Sequence, residues 1–215
     1  MNRSVTCALG AILVAAAAAV DASPVDDAVA DVQREWERIS YTVPPAQRAE
    51  RFEALAARAH AASAAHPDRP EPMIWEGIVM SSWAGAKGGL GALPLVRQAK
   101  GLYESAIALR PEALEGSALN RLGVLYYKVP GWPVAFGDKA RAQELLKRGL
   151  TINPTGIDPN YFYGEFLVET GRAAEAVPFL ERALKAPARP GREIADAGRR
   201  DEALALLAKA RSQTR

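Results

Sequence analysis

The sequence predicts an all-α solenoid of paired helices, because a pattern typical of the second helix of such pairs recurs along it. The spacing Ala-x3-Tyr/Leu-x2-Ala/Gly occurs at residues 99–106, 142–149 and 176–183, and the first two copies end at Pro111 and Pro154. The second and third copies begin 34 residues apart, which is the tetratricopeptide period. Small residues let helix axes approach, and large residues fill the gaps between them. We therefore predict a tetratricopeptide-like helix-pair solenoid.

The first helix of a pair also has a recognisable pattern. Residues 119–126 match the signature W-x2-L-G-x2-Y almost position for position, with Gly123 at the glycine. Partial copies occur at 75–78, where Trp75 takes the tryptophan position, and at 163–167. First and second helices therefore alternate along the chain.

Both ends of the predicted solenoid are less regular. Residues 25–40 and 46–65 have helical periodicity and are interpreted as a degenerate first unit. A weaker copy of the second-helix pattern at 203–210 is interpreted as a cap. No strand pattern and no second domain is visible, so residues 23–215 are predicted to form a single solenoid domain.

Two inter-helix loop insertions are predicted from departures from the period. The interval from Ala99 to Ala142 is 43 residues, and its excess lies at 128–139. A similar insertion is predicted at 83–94. Connections of this kind project from one edge of a solenoid and often form its binding face.

Two helix boundaries follow from capping chemistry. Asp158 is predicted to be an N-cap, with Pro159 at the first helical position. Gly171 is predicted to stop the preceding helix in the left-handed conformation.

The N-terminus is predicted to be a secretory signal. Arg3 precedes an apolar stretch at residues 8–20, and small residues around Ala22 suit cleavage there. Cys7 lies before the apolar stretch, where it cannot be the lipidated residue of a lipoprotein. We therefore expect residues 1–22 to be removed, and a periplasmic protein without a stable membrane anchor.

Composition argues against several function classes. The formal net charge is +2, whereas nucleic-acid binding needs clustered Lys and Arg. One cysteine and two histidines leave little for a metal centre, and no cofactor motif is present. The catalytic motifs G-x-S-x-G and H-E-x-x-H are absent, so we do not expect an enzyme.

Aromatic residues indicate the candidate site. Nine of the 15 lie between Tyr126 and Phe179. They pack in the core or else form an apolar pocket under the inserted loop, with tyrosine hydroxyls as polar groups. The residues predicted to form a ligand pocket or interface are Tyr126, Tyr127, Trp132, Phe136, Tyr161, Phe162 and Glu165.

Three further features have two interpretations each. Trp132, in the stiff loop that includes Pro130 and Pro133, is expected to dock on its own solenoid, or else to close a groove or meet another subunit. Glu165 and Glu169 share a helix face that is solvated or else does acid–base or cation chemistry. The net charge of +5 in residues 182–215 reflects solvated faces or a site for an acidic partner or membrane surface.

The stretches Tyr127-Lys128-Val129-Pro130-Gly131-Trp132-Pro133, Phe136-Gly137-Asp138-Lys139-Ala140 and 152–164 resemble the tetratricopeptide T component associated with TRAP transporters. The resemblance covers roughly residues 70–190. It implies a non-catalytic periplasmic solenoid that assembles into a homo-oligomer. It also implies a hydrophobic small ligand and, as partner, the periplasmic substrate-binding protein of a TRAP system. Members are often lipid-anchored, which this chain is not expected to be.

Three functional hypotheses follow. The first is a periplasmic repeat protein that binds a hydrophobic small ligand, a substrate-binding partner protein or both. The second is a protein–protein scaffold in envelope assembly that binds peptide segments. The third is an enzyme that uses Glu165, Glu169 or Tyr161 as acid or base.

Overall fold

The computed structural model describes residues 24–214, which hold nine α-helices and no β-strand. A short 3₁₀ turn, Leu90–Ala92, precedes the fourth helix. The α-helices are α1 (Pro24–Tyr41), α2 (Pro45–Ala65), α3 (Pro70–Lys87), α4 (Leu93–Leu109), α5 (Ala113–Lys128), α6 (Lys139–Ile152), α7 (Ile157–Glu169), α8 (Ala173–Lys185) and α9 (Glu193–Ser212). The prediction of an all-α solenoid is confirmed, and the predicted signal at residues 1–22 lies outside the described residues.

The pairs α3–α4, α5–α6 and α7–α8 repeat one close contact between a glycine of the first helix and a large residue of the second. A Cβ on Gly123 would lie 2.8 Å from Cγ of Leu146, which is too close for any side chain. The three equivalent contacts are Gly77 with Tyr103, Gly123 with Leu146, and Gly164 with Leu180. The large residues are those that the sequence pattern identified.

This contact corrects the predicted register of α3. The sequence match placed Trp75 at the tryptophan position of the signature, which would put the close contact at Val79. In the structure Gly77 makes that contact, two residues earlier. The side chain of Trp75 is buried in the core instead. Similar apolar residues on several faces of α3 made the register ambiguous in the sequence.

The helices α1, α3, α5, α7 and α9, called the inner helices below, contact one another in sequence, and α9 also contacts α1. At this closing contact Tyr41 lies against Gly198, where a Cβ would collide with the tyrosine ring. Glu37 accepts a hydrogen bond from Nε of Arg192 at the same contact. The five inner helices therefore form a closed ring, because α9 contacts both α7 and α1. The last helix closes this ring and does not only cap the pair α7–α8.

The predicted helix ends are partly correct. Gly171 follows α7 with a φ of 79°, as predicted. The N-cap of α7 is Gly156, however, and Asp158 lies at the second helical position. Asp158 instead turns its carboxylate to arginines of the C-terminal segment. Asp138 is a true N-cap, because its carboxylate accepts hydrogen bonds from the backbone N–H groups of the first turn of α6.

The two predicted insertions differ in the structure. The insertion at 128–139 is an irregular segment at residues 129–138, between α5 and α6. Most of 83–94 is helical, and only Gly88 and Gly89 separate α3 from the 3₁₀ turn. Both glycines have positive φ, which reverses the chain over a short distance. The second insertion is thus shorter than predicted.

Two hydrophobic clusters form the core of the described residues. One joins side chains of α1 to α5, and the other joins α7 and α8 with parts of α5, α6 and α9. Tyr126 of α5 packs against both clusters. Among the helices between residues 24 and 214, none has the length and apolar character that a membrane crossing needs.

Candidate functional site

Besides a cavity of about 420 Å³ between α1, α2, α3 and Glu202 of α9, two cavities lie beside the inner helices of the described residues. The inner cavity has a volume of about 350 Å³ and lies between α1, α3, α5, α7 and the segment that joins α8 to α9. The loop cavity has a volume of about 390 Å³ and lies between α3, α4, α5 and the first residues of the 129–138 loop. The residues lining the loop cavity are Ser81, Ser82, Ala84, Gly85, Gly89, Ala92, Leu93, Val96, Arg121, Val124, Leu125, Lys128, Val129 and Pro130.

Arg121 of α5 lines both cavities. Its guanidinium carbon lies 4.8 Å from the ring centre of Phe162 and 5.5 Å from that of Trp36. Within residues 24–214 it has no hydrogen-bond or ion-pair partner. Burial lowers the pKa of Arg121, and the negative charge of Asp158 only partly offsets this. Arg121 is therefore a half-buried cation that lies between two aromatic rings.

The other interior arginines are paired. Arg189 donates from Nη1 to Asp158 at 2.7 Å and from Nε to Asp196 at 2.7 Å. Arg199 donates from Nε to the other oxygen of Asp158 at 3.0 Å. Burial acts to raise the pKa of the Asp158 carboxyl, but the charges of Arg199, Arg189 and Arg121 outweigh it and lower the pKa. Asp158 is thus a carboxylate that holds two arginines of the C-terminal segment.

The structure shows what part of the basic charge of residues 182–215 does. Arg189, Arg192 and Arg199, with the carboxylates of Glu37, Asp158 and Asp196, are called the arginine network below. Arg189, Arg192 and Asp158 line the inner cavity. Arg192 also lies over the ring of Trp75, with its guanidinium carbon 5.3 Å from the ring centre. Arg189, Arg192 and Arg199 are therefore ion-pair partners within the fold, whereas Arg182, Lys185, Lys209 and Arg211 are exposed, as the solvated-face interpretation expected.

The seven predicted site residues do not share one pocket. Tyr126 and Phe136 pack edge to face, with ring centres 5.5 Å apart, where the loop meets α5. Tyr161 and Phe162 lie on the inner side of α7, and the guanidinium carbon of Arg199 lies 4.5 Å and 4.7 Å from their ring centres. Of the seven, Phe162 lines the inner cavity and none lines the loop cavity.

Tyr127 and Glu165 form a separate polar contact. The buried Tyr127 hydroxyl donates to one oxygen of Glu165 at 2.5 Å, and Lys128 binds the other at 3.0 Å. Lys128 also donates to Glu169. Burial, followed by the charge of Glu165, raises the pKa of Tyr127 well above its usual value. The two carboxylates are therefore engaged with one lysine, and no cluster of three metal-ligating side chains occurs between residues 24 and 214.

Trp132 does not dock on the solenoid, contrary to the expectation from the sequence. It is 90% exposed, whereas the base of its loop is firmly held. The N–H of Gly137 donates to Pro130 at 2.9 Å, and the N–H of Asp138 donates to Tyr126 at 2.8 Å. The two prolines and these bonds give the loop a fixed course and leave the indole in solvent.

Sequence reasoning missed Arg121 and the arginine network. The sequence patterns do not single out Arg121, and they predict Asp158 to be an N-cap. The sequence did hold a signal for Arg121. It lies within the signature at 119–126, on a helix that must be largely buried, where a charged side chain is unusual. The rings beside Arg121 belong to α1 and α7, which are far from it in sequence, so no local pattern predicts these contacts.

Comparison with known proteins agrees with this architecture. Residues 134–192 match the tetratricopeptide repeat family. The fold is of the tetratricopeptide-repeat type. Repeats of this type typically serve as non-catalytic scaffolds for protein–protein interaction. The matched segment covers α6, α7 and α8, and a comparison with curated proteins gives no match.

Solved structures share the fold at low sequence identity. A thermophilic tetratricopeptide protein of Thermus thermophilus is 24% identical, with a TM-score of 0.53 over 76% of this chain and 84% of that one. Yeast Tom70 is 16% identical, with a TM-score of 0.51 over 79% of this chain and 32% of that one. At this identity the likeness concerns the helical-repeat fold.

Proposed function

We propose that this chain is a non-catalytic helical-repeat binding protein that holds an apolar small molecule in the loop cavity. The observation that carries the proposal is the cavity itself, whose volume of about 390 Å³ lies within the range of ligand sites. Ala92, Leu93, Val96, Val124 and Leu125 give it an apolar wall. Few polar groups line it, as in sites where burial of apolar surface supplies most of the affinity.

The setting of this cavity supports a relationship to the TRAP-associated T component. Val129 and Pro130, which line it, belong to the stretch that carries the resemblance. The same loop carries the exposed Trp132. We propose a periplasmic location and, as partner, the substrate-binding protein of a TRAP system that contacts this loop. Assembly into a homo-oligomer is part of the same proposal.

A scaffold function is the second candidate, and the exposure of Trp132 favours it. Tryptophan is enriched at the centres of protein interfaces, where its burial contributes strongly to affinity. Peptide-binding repeats commonly use their concave face, but here α9 contacts α1 and the arginine network occupies the interior. In a scaffold for envelope assembly, the loop around Trp132 would therefore be the contact surface.

The ligand proposal is tested by filling the loop cavity. Gly85 lines it, and a Cβ there would meet no atom within 4 Å, so Gly85→Trp places an indole at the cavity without a clash at the backbone. Gly85 also lines the cavity between α1, α2 and α3. Gly101→Trp on α4 is the matched control, because its Cβ also has open space and it lines none of the three cavities. We expect the uncharged apolar dye 1-N-phenylnaphthylamine to bind the wild type and Gly101→Trp, but not Gly85→Trp. Equal binding by all three, or by none, would contradict the proposal.

Location, assembly and retained ligand are tested together by native mass spectrometry of protein recovered from the periplasm. We expect a chain that begins at Ser23, in an oligomer that carries an apolar molecule. A bare monomer would favour the scaffold function. Capture of the substrate-binding protein by the wild type but not by Trp132→Ala would support the TRAP partner.

A further inference from the structure

The inner cavity is lined by five charged side chains, which fall into two groups. Asp158, Arg189 and Arg192 belong to the arginine network, where each has an ion-pair partner. Glu115 and Arg121 have no ion-pair partner within residues 24–214. Two unpaired charges of opposite sign therefore line the same cavity.

The guanidinium of Arg121 lies on the side of this cavity. Its carbon is 4.8 Å from the ring centre of Phe162, which lines the inner cavity and not the loop cavity. The other neighbouring ring is that of Trp36 on α1. Ring faces compensate a cation only in part, and none of the guanidinium N–H groups forms a hydrogen bond within residues 24–214. Arg121 therefore keeps its donors for an anionic group.

Glu115 lies in a strained turn at the start of α5. Leu114 and Glu115 have φ values of 47° and 56°, and they are the only non-glycine residues with positive φ between residues 24 and 214. This conformation is unfavourable for residues with a Cβ, and such strain is concentrated at functional sites. Nδ2 of Asn153 donates to one carboxylate oxygen of Glu115 at 2.7 Å. The turn therefore holds an acid at the cavity and leaves its second oxygen available to a ligand.

We infer that the inner cavity binds a free di- or tripeptide, with the peptide carboxylate at Arg121 and the peptide ammonium group at Glu115. This site is separate from the loop cavity, so the inference does not rest on the proposed function of that cavity. The planar guanidinium matches a carboxylate with two parallel hydrogen bonds. Gln33, Ser117 and Thr155 also line the inner cavity and provide uncharged hydrogen-bonding groups for the peptide amides.

The spacing of the two charges and the size of the cavity set the length of the peptide. Residues 117–121 are regular helix, which carries Arg121 about 6 Å along the axis from Ser117, and Glu115 lies before that stretch. An extended chain spans about 3.3–3.6 Å per residue, so one amino acid is too short and two or three residues suffice. The volume of about 350 Å³ is near the lower end for ligand sites. An internal segment of a longer protein carries neither terminal charge and is therefore not the expected ligand.

The test compares trialanine with N-acetyl-trialanine, which lacks the ammonium group, and with trialanine amide, which lacks the carboxylate. Isothermal titration calorimetry of the full chain measures the three affinities for the wild type, Arg121→Met and Glu115→Gln. Methionine removes the charge of the arginine, and glutamine removes that of the glutamate but still accepts the bond from Asn153. Arg148→Met and Glu112→Gln are the matched controls, because both residues are exposed, have no ion-pair partner within residues 24–214 and line none of the three cavities.

We expect the wild type and both controls to bind trialanine about 10- to 100-fold more tightly than trialanine amide, as a charged hydrogen-bonded pair would give. Acetylation should weaken binding about two- to fivefold, because Glu115 is exposed and solvent screens its charge. Arg121→Met should lose only the advantage of the free carboxylate, and Glu115→Gln only that of the free ammonium group. A merely structural role for either residue would weaken the binding of all three peptides alike.

Three outcomes would overturn the inference. It fails if trialanine does not bind the wild type, if capping either end leaves the affinity unchanged, or if alanine binds as tightly as trialanine. Should Arg121→Met not fold, as judged by circular dichroism, Glu115→Gln decides, because the substitution is at an exposed position. Trialanine and N-acetyl-trialanine must then bind that variant equally, and a remaining advantage of the free ammonium group would contradict the inference.

Discussion

Asp158 accepts a hydrogen bond at 3.0 Å from Nε of Arg199, a residue 41 positions further along the chain. The bond joins the first turn of α7 to α9, and Arg189 binds the other oxygen of the same carboxylate. One side chain therefore ties α7 both to α9 and to the segment that precedes it. This is the contact through which the last helix pair orients the helix that closes the ring.

Replacing Asp158 by asparagine should destabilise the protein, because it leaves two interior arginines without their shared carboxylate. Removing one partner of a buried ion pair typically costs about 3–5 kcal/mol, and we expect the lower end because Asp158 is only partly buried. Urea unfolding at neutral pH measures this loss. Asp201→Asn is the control, since Asp201 is an exposed acid on α9.

The stability lost in Asp158→Asn should depend on pH. The pKa of Asp158 is lower in the folded state than its unfolded value of about 3.9. Its contribution is therefore fully present above the unfolded pKa and is lost as pH falls through the folded pKa. The stability difference between wild type and Asp158→Asn should be constant from pH 7 to about 5 and should shrink below about pH 4. A difference that does not change with pH would contradict this assignment.

The glycine contacts between paired helices predict opposite effects for two Gly→Ala substitutions. A Cβ on Gly123 would collide with Leu146, so Gly123→Ala should lower the free energy of unfolding by about 1–3 kcal/mol. Gly101 lies in α4 with open space around it, so Gly101→Ala should raise it by about 0.5–1 kcal/mol through helix propensity alone. Chemical denaturation of both variants is the measurement, and equal effects would mean that the helices of this pair are further apart than described.

The contrast between Gly123 and Arg192 shows how much of the structure the sequence could predict. Gly123 and Leu146 lie in patterns that repeat at fixed spacing, so the helix pairs could be predicted from local rules. The partners of the interior arginines could not, because they depend on closure of the ring. Glu37 and Arg192 are 155 positions apart, and no periodicity relates them. The register of α3 failed for another reason, since apolar residues on several of its faces fit the signature in more than one alignment.

Trp132→Ala should leave thermal stability unchanged, because the indole is 90% exposed and the bonds that hold its loop come from the backbone. The substitution should also remove most of the tryptophan fluorescence that acrylamide quenches. Trp36 and Trp75 are buried, and Trp83 is partly buried. A fall in melting temperature would show that the indole docks on the solenoid in solution, as the sequence suggested.

Closure of the ring predicts an energetic coupling between α1 and α9. The side chains of Glu37 and Arg192 are 5% and 16% exposed, so their ion pair is shielded from solvent. A double-mutant cycle with Glu37→Gln and Arg192→Met should give a coupling of about 1–3 kcal/mol, within the range for residues in contact. The exposed pair Arg141–Glu144 is the control and should give less than about 0.5 kcal/mol. If the first coupling falls to the level of the control, α9 does not hold α1, and the inner helices form an open arc that could admit a peptide.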